Sequence, residues 1–201
     1  MILYSIIICV CMTIIASLNI WLNPQYNDKF WLYIILVVAF TLGAIILDAI
    51  VAIVVRKMPE KWFSKDAGIF KTTKPELKFY NFIRVQKWKD HVPELGSFTG
   101  FHKNKVSDPF DSQYLARFIL EARYGVAIHY LSAPLSFLIL LCDYRLYTGG
   151  SNIWLTIALP VAIVNAILII LPAFILKYNL PKLLRIYQIN LRKQKQKELS
   201  Q

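Results

Sequence analysis

Apolar positions in this chain do not alternate; they run together. Ile2 to Leu22 supplies about the 20 consecutive apolar residues that a helix needs to cross the hydrocarbon core of a bilayer, and residues 1–27 carry no charge at all. Trp31 to Val55 makes a second run, Tyr124 to Cys142 a third and Ile153 to Leu176 a fourth. Asn23-Pro24-Gln25-Tyr26-Asn27-Asp28 reads as a short turn after the first run, and Asp143 to Ser151, with Gly149-Gly150, as the turn between the last two. Trp21, Trp31 and Tyr33 lie near one interface, as an aromatic belt does. The pattern predicts an all-α integral membrane protein: four transmembrane helices at about 2–22, 31–55, 124–142 and 153–176, forming a single membrane domain over 1–201. The first run has neither a basic leader nor a small-residue cleavage site, so it is expected to be retained.

The segment 56–123 is too long for a bare connection and too small for a core of its own, which predicts a helical layer lying against the membrane. Thr73-Lys74-Pro75-Glu76 has the form of a capping box with proline in the first turn. The stretch it opens, Leu77 to Trp88, mixes Phe79, Tyr80, Phe82 and Ile83 with Lys78, Arg84 and Lys87, the make-up of an interfacial helix, and Pro93 is expected to end it. Asp108-Pro109, with Asp111 in the first turn, signals another helix that runs through Tyr114, Phe118 and Glu121 into the third span.

Charge fixes the orientation. The chain carries 23 Lys and Arg against 12 Asp and Glu, and 21 of the 23 basic residues fall in 56–123 or 177–201, leaving only Lys29 and Arg145 elsewhere. On a soluble domain a net +11 suggests nucleic acid; here the clustering beside apolar spans is the signature of the positive-inside rule, and no nucleic-acid partner is expected. The N-terminus, the 56–123 segment and the basic C-terminal tail 177–201 are therefore placed on the cytoplasmic side of the cell membrane, with Arg192-Lys193-Gln194-Lys195-Gln196-Lys197 as an anchor on anionic lipid. A mean hydropathy of +0.48 agrees with a membrane class. Cys9, Cys11 and Cys142 all lie in apolar stretches, where cysteine serves as a small hydrophobe.

Ionisable side chains inside spans are costly, so Asp48 and His129 are candidate site residues. Asp48 lies eight residues before Arg56 and His129 six after Arg123, about 12 and 9 Å at the helical rise. At these similar depths they could face each other across the bundle and open a pocket to the cytoplasm. Each also has a packing role open to it, as a hydrogen-bonded histidine and a helix-to-helix tether. Glu121 precedes His129 by eight residues, so the two share a helix face with Gly125 between them leaving room for a substrate group, His129 then acting as base and Glu121 or Arg123 as orienting group. His91, His102 and His129 are metal-capable, yet no spacing such as H-x-x-x-H fixes two ligands on one element, and no metal is expected. Lys87-Trp88-Lys89-Asp90-His91 reads equally as a snorkelling interfacial patch and as a phosphate clamp. Asn179 with Pro181 is by default a helix terminator.

Several pieces in order carry a resemblance: Phe79-Tyr80, then Val85-Gln86-Lys87-Trp88-Lys89-Asp90-His91-Val92-Pro93-Glu94, then Gly100-Phe101-His102-Lys103, then Glu121 with His129 eight residues on, then Lys177-Tyr178-Asn179-Leu180-Pro181-Lys182-Leu183. Together, over roughly 75–185, they resemble the glycosyl-4,4'-diaponeurosporenoate acyltransferase family, small multi-span enzymes that attach a fatty acyl chain to the sugar of a glycosylated carotenoid. The W-K-x-x-x-P element falls at Trp88, Lys89 and Pro93 and the Y-N-x-P element at Tyr178, Asn179 and Pro181; the pattern departs where Val126 stands in place of an acid. The resemblance implies a membrane acyltransferase acting on a glycolipid hydroxyl, with no cofactor and an acyl thioester donor as co-substrate. Its partners would be membrane lipids, the acyl donor and a lipidic glycoside acceptor. It implies His129 as base and Glu121 beside it as catalytic residues, with Trp88, Lys89, Arg123, Tyr178 and Asn179 binding substrate; Asp48, which lies outside the resembling stretch, joins the substrate-binding set from its place in a span, as a support for the imidazole. Two other classes fit the spans: a non-enzymatic four-helix scaffold or lipid-binding subunit, and a small transporter, for which no internal repeat speaks.

Overall fold

The computed structural model describes residues 2–24, 30–63, 68–92, 106–142 and 153–200. Among them every regular element is helical: α1 (Ile2–Leu22), α2 (Phe30–Lys57), α3 (Lys74–Phe82), α4 (Val85–Trp88), α5 (Ser112–Leu135) and α6 (Ile153–Leu199), with 3₁₀ turns at Glu60–Trp62, Gly68–Phe70, Lys89–His91 and Ser136–Leu141. Ser5–Leu22, Phe30–Lys57, Ser112–Leu141 and Trp154–Leu199 are long and apolar enough to cross a membrane, so the chain is an all-α membrane protein with four spans. Ile6, Val10, Ile14 and Leu18, at i, i+4 spacing on α1, are all exposed; an aliphatic stripe of that length belongs against lipid rather than water.

The chain divides into two compact units, residues 1–54 with 130–170 and residues 55–129 with 171–201. In the first, Tyr33, Leu36, Val37 and Phe40 of α2 pack with Ile157, Ala158 and Val161 of α6, and Ile15 of α1 closes the cluster. Asn19, 3% exposed, crosses this core: its amide donates to the Thr156 carbonyl at 3.3 Å and its oxygen accepts from the Thr156 hydroxyl. The contact has a backbone cause. Pro160 lacks the N–H that would bond the carbonyl four residues earlier, and Asn19 supplies the missing donor.

In the second unit Phe118, Ile119 and Ala122 of α5 pack on Leu180 and Leu183 of α6, while Tyr80 and Val85 pack on Ile175 and Tyr178. The capping box at Thr73 is present in both directions: the hydroxyl accepts from Glu76 N and the Glu76 carboxylate from Thr73 N. The expected single helix to Trp88 is interrupted, however, at Arg84, whose φ of 54° is left-handed and splits the stretch into α3 and α4. Pro93, its expected end, lies outside the described residues.

Two further boundaries differ from expectation. α5 starts at Ser112, with Asp111 as its cap through a 2.8 Å bond from Gln113 N, while Asp108 closes the preceding turn by accepting from the backbone of Phe110 and Asp111. α6 does not stop at Asn179-Leu180-Pro181 but continues to Leu199, so 177–199 is helix rather than a separate tail. Pro181 orphans the carbonyl of Lys177, and the Thr72 hydroxyl donates to that carbonyl at 2.8 Å. With the orphan satisfied, the ring no longer ends the helix.

Candidate functional site

The 3₁₀ turn Glu60–Trp62 follows α2 and delivers Phe63 against α5, where its ring centroid is 4.4 Å from that of Tyr124. Its carbonyl accepts from Arg123 Nη1 at 3.0 Å. Arg123 is only 5% exposed, so this guanidinium holds the turn onto α5. Two residues earlier, Glu121 is buried and both of its oxygens are engaged: Arg56 Nη1 donates to Oε2 and Arg117 Nη2 to Oε1, each at 2.8 Å. Arg117 also reaches Glu60 at 3.4 Å, and Arg56 lies over the Tyr124 ring at 5.9 Å. The carboxylate thus joins the end of α2 to α5.

His129 lies eight residues beyond Glu121 on the same helix and is half-buried. The gap expected between them at Gly125 is occupied: a Cβ built there would lie 2.6 Å from Leu176 Cδ1. Gly125 is therefore a place where α6 approaches α5 closely, and the space is packing rather than a substrate slot. Val126, where the family pattern carries an acid, is fully buried.

Trp88 and Tyr178, 90 positions apart, come together in one cluster with Tyr80, Val85 and Ile175. The Trp88 indole donates to the Ile83 carbonyl at 2.8 Å, the Tyr178 hydroxyl donates to Gln86 Oε1 at 3.3 Å, and Lys182 Nζ lies 4.4 Å from the centre of the Tyr178 ring. Lys89 and Asn179 flank this cluster in sequence and are half-buried. The neighbouring Lys177 is 2% exposed; its ammonium pairs with Glu76 Oε1 and donates to the Lys71 carbonyl at 3.3 Å. Burial pushes the Glu76 carboxyl up, but the bond from Lys177 and the bonds from Thr73 outweigh it and hold the group below its ordinary value.

Asp48 belongs to the first unit. There Asn165 donates to its Oδ2 at 3.4 Å and to Ser136 Oγ at 2.9 Å, while Asp48 Oδ1 is buried without a hydrogen bond. A hollow of about 30 Å³ beside Asn165, lined also by Cys11, Met12, Thr41 and Ala44, has room for about one water and not for a substrate. The described residues contain no group of three or more His, Cys, Asp or Glu placed to hold a metal. His102, Pro93 and Gly100-Phe101 lie outside the described residues.

The sequence pattern does not single out Arg56 and Arg117 as partners of Glu121, or Glu76 as partner of Lys177. Only Arg117, at i–4, left a local signal; the others are 65 and 101 positions from their partners.

Nothing matches the chain among curated proteins or solved structures. The family described as glycosyl-4,4'-diaponeurosporenoate acyltransferase matches residues 59–189, a range that encloses the Trp88, Glu121, His129 and Tyr178 positions, and the scaffold and transporter readings give way to it. The chain belongs to the glycosyl-4,4'-diaponeurosporenoate acyltransferase family and is a membrane acyltransferase for a glycosylated, carotenoid-like acceptor.

Proposed function

We propose that the protein moves a fatty acyl group from a thioester donor, taken from the cytoplasmic side of the cell membrane, to a hydroxyl of the acceptor's sugar, with no resident cofactor. The observation that supports this reading is that the W-K and Y-N elements, both inside the family match at 59–189, meet at Trp88 and Tyr178 in the second unit. His129 takes the hydroxyl proton as the oxygen attacks the thioester carbonyl; the C–S bond breaks and the thiolate leaves with a proton. Lys89 is the cation assigned to the oxyanion or to the donor, and Trp88, Tyr178 and Asn179 bound the substrate. Glu121 and Arg123 are positioning residues, because each is already bonded to the turn or helix end that it holds. Asp48, bonded to Asn165, serves the first unit as a tether.

The test is mass spectrometry of total lipids from cells that make the acceptor, expressing either the wild-type chain or His129→Ala at equal membrane levels. A species heavier by one fatty acyl mass is expected with wild type, and its yield should fall by about 10²- to 10⁴-fold without the base. Equal yields from both chains would remove His129 from the chemistry. No acylated species from either would remove the fatty acyl and hydroxyl assignments.

A further inference from the structure

The cluster around Tyr178 presents a row of cations that the transfer chemistry above leaves unused. Tyr178, Lys182 and Arg185, at i, i+4 and i+7, share one face of α6. The Lys182 ammonium sits over the Tyr178 ring, and the same tyrosine donates to Gln86, whose helix also carries Lys87. Arg84, Lys87, Lys182 and Arg185 are all exposed, and among the described residues none of the four pairs with a carboxylate. A plain solvated face is the usual account of surface lysines, but two features set this one apart. The Lys182 ammonium lies over an aromatic ring, and α4 is aimed at Tyr178 by a left-handed, non-glycine Arg84, a strained conformation that persists where the surroundings over-determine it.

The geometry points to a phosphate-binding site formed by Lys182, Arg185, Lys87 and Gln86 around Tyr178, which takes either the diphosphate of a coenzyme A thioester or the headgroup phosphate of an anionic lipid. Lysine and arginine on a fixed platform, with a side-chain amide beside them, suit phosphate oxygens. The inference rests on the thioester-donor reading for its first source and stands without it for the second.

The experiment measures binding of coenzyme A to the full chain in phosphatidylcholine nanodiscs, and enrichment of phosphatidylglycerol around the protein in mixed ones. Lys182→Glu combined with Arg185→Glu is expected to weaken coenzyme A binding at least about ten-fold, whereas Lys182→Arg retains it. Lys193→Glu with Lys195→Glu, the same charge change on an exposed stretch further along α6, should leave affinity unaltered. If wild type ignores coenzyme A but enriches phosphatidylglycerol in a manner that the Lys182 and Arg185 substitutions abolish, the headgroup is the source. If the paired substitutions change neither quantity, or the Lys193 and Lys195 control changes them equally, the site is overturned. His129→Ala should bind coenzyme A as wild type does, so failure of the transfer reading and failure of this site are read separately.

Discussion

Lys177 and Glu76 illustrate how unequal the two halves of an ion pair can be. The lysine is 2% exposed and the glutamate side chain 31%, so removing the acid strands a buried ammonium, while removing the lysine leaves a carboxylate that water and Thr73 still solvate. Glu76→Gln is therefore expected to destabilise by about 2–3 kcal/mol and Lys177→Met by about 1 kcal/mol, read as unfolding midpoints in detergent; the reverse order would contradict the assigned burial. The pH dependence follows from the lowered Glu76 pKa. A carboxyl whose folded pKa lies below its unfolded value contributes stability that is complete above the unfolded value, near 4.5, and is lost as pH falls through the folded one. Wild type should thus lose midpoint below about pH 4.5 more steeply than Glu76→Gln does. Glu121 is the second such residue. With both oxygens bonded to arginines, Glu121→Gln should cost about 2 kcal/mol, and the activity of the remaining folded protein should fall far less than in His129→Ala, because its role is to hold α2 to α5.

At the level of elements, the continuation of α6 through Pro181 depends on one hydroxyl supplied by a different part of the chain. Thr72→Val removes the donor to the Lys177 carbonyl and should cost about 1–2 kcal/mol. In a Pro181→Ala background the backbone N–H returns and bonds that carbonyl itself, so the same Thr72→Val change should cost close to nothing. Equal costs in the two backgrounds would show that the bond does not compensate for the proline. This pair also marks where reading the sequence stops. The four spans were legible because apolar length is a local property, and the capping box at Thr73 was legible because its partners are three residues apart. Proline at 181 read as a terminator because its rescuer stands 105 positions away. Gly125 read as open space because Leu176, which fills it, arrives from another helix. The W-K and Y-N elements could be listed from the sequence, but that Gln86 meets Tyr178 required the left-handed turn at Arg84, which no residue type there announces.

For the whole molecule, orientation rests on the distribution of charge: 21 of 23 basic residues lie in 56–123 and 177–201, and the turn after α1 holds only Lys29. Moving Lys and Arg across the bilayer is costly, so the charge pattern predicts both basic segments on one side. Four crossings would then put the N-terminus with them and residues 23–29 opposite. In a chain with Cys9, Cys11 and Cys142 replaced by alanine, a cysteine introduced at Lys78 or at Ser200, both exposed, should react with a membrane-impermeant maleimide only in inside-out vesicles. One introduced at Asn23 should react only in intact cells. Labelling of Lys78→Cys and Ser200→Cys from opposite sides would break the four-span topology, since an odd number of crossings would then separate them. Labelling of both from outside would keep the topology and invert it, putting the Trp88 and Tyr178 cluster beyond the reach of a cytoplasmic thioester. Cytoplasmic labelling of both, with Asn23→Cys outside, would leave the donor and the proposed phosphate site on the same side of the membrane, which the transfer chemistry requires.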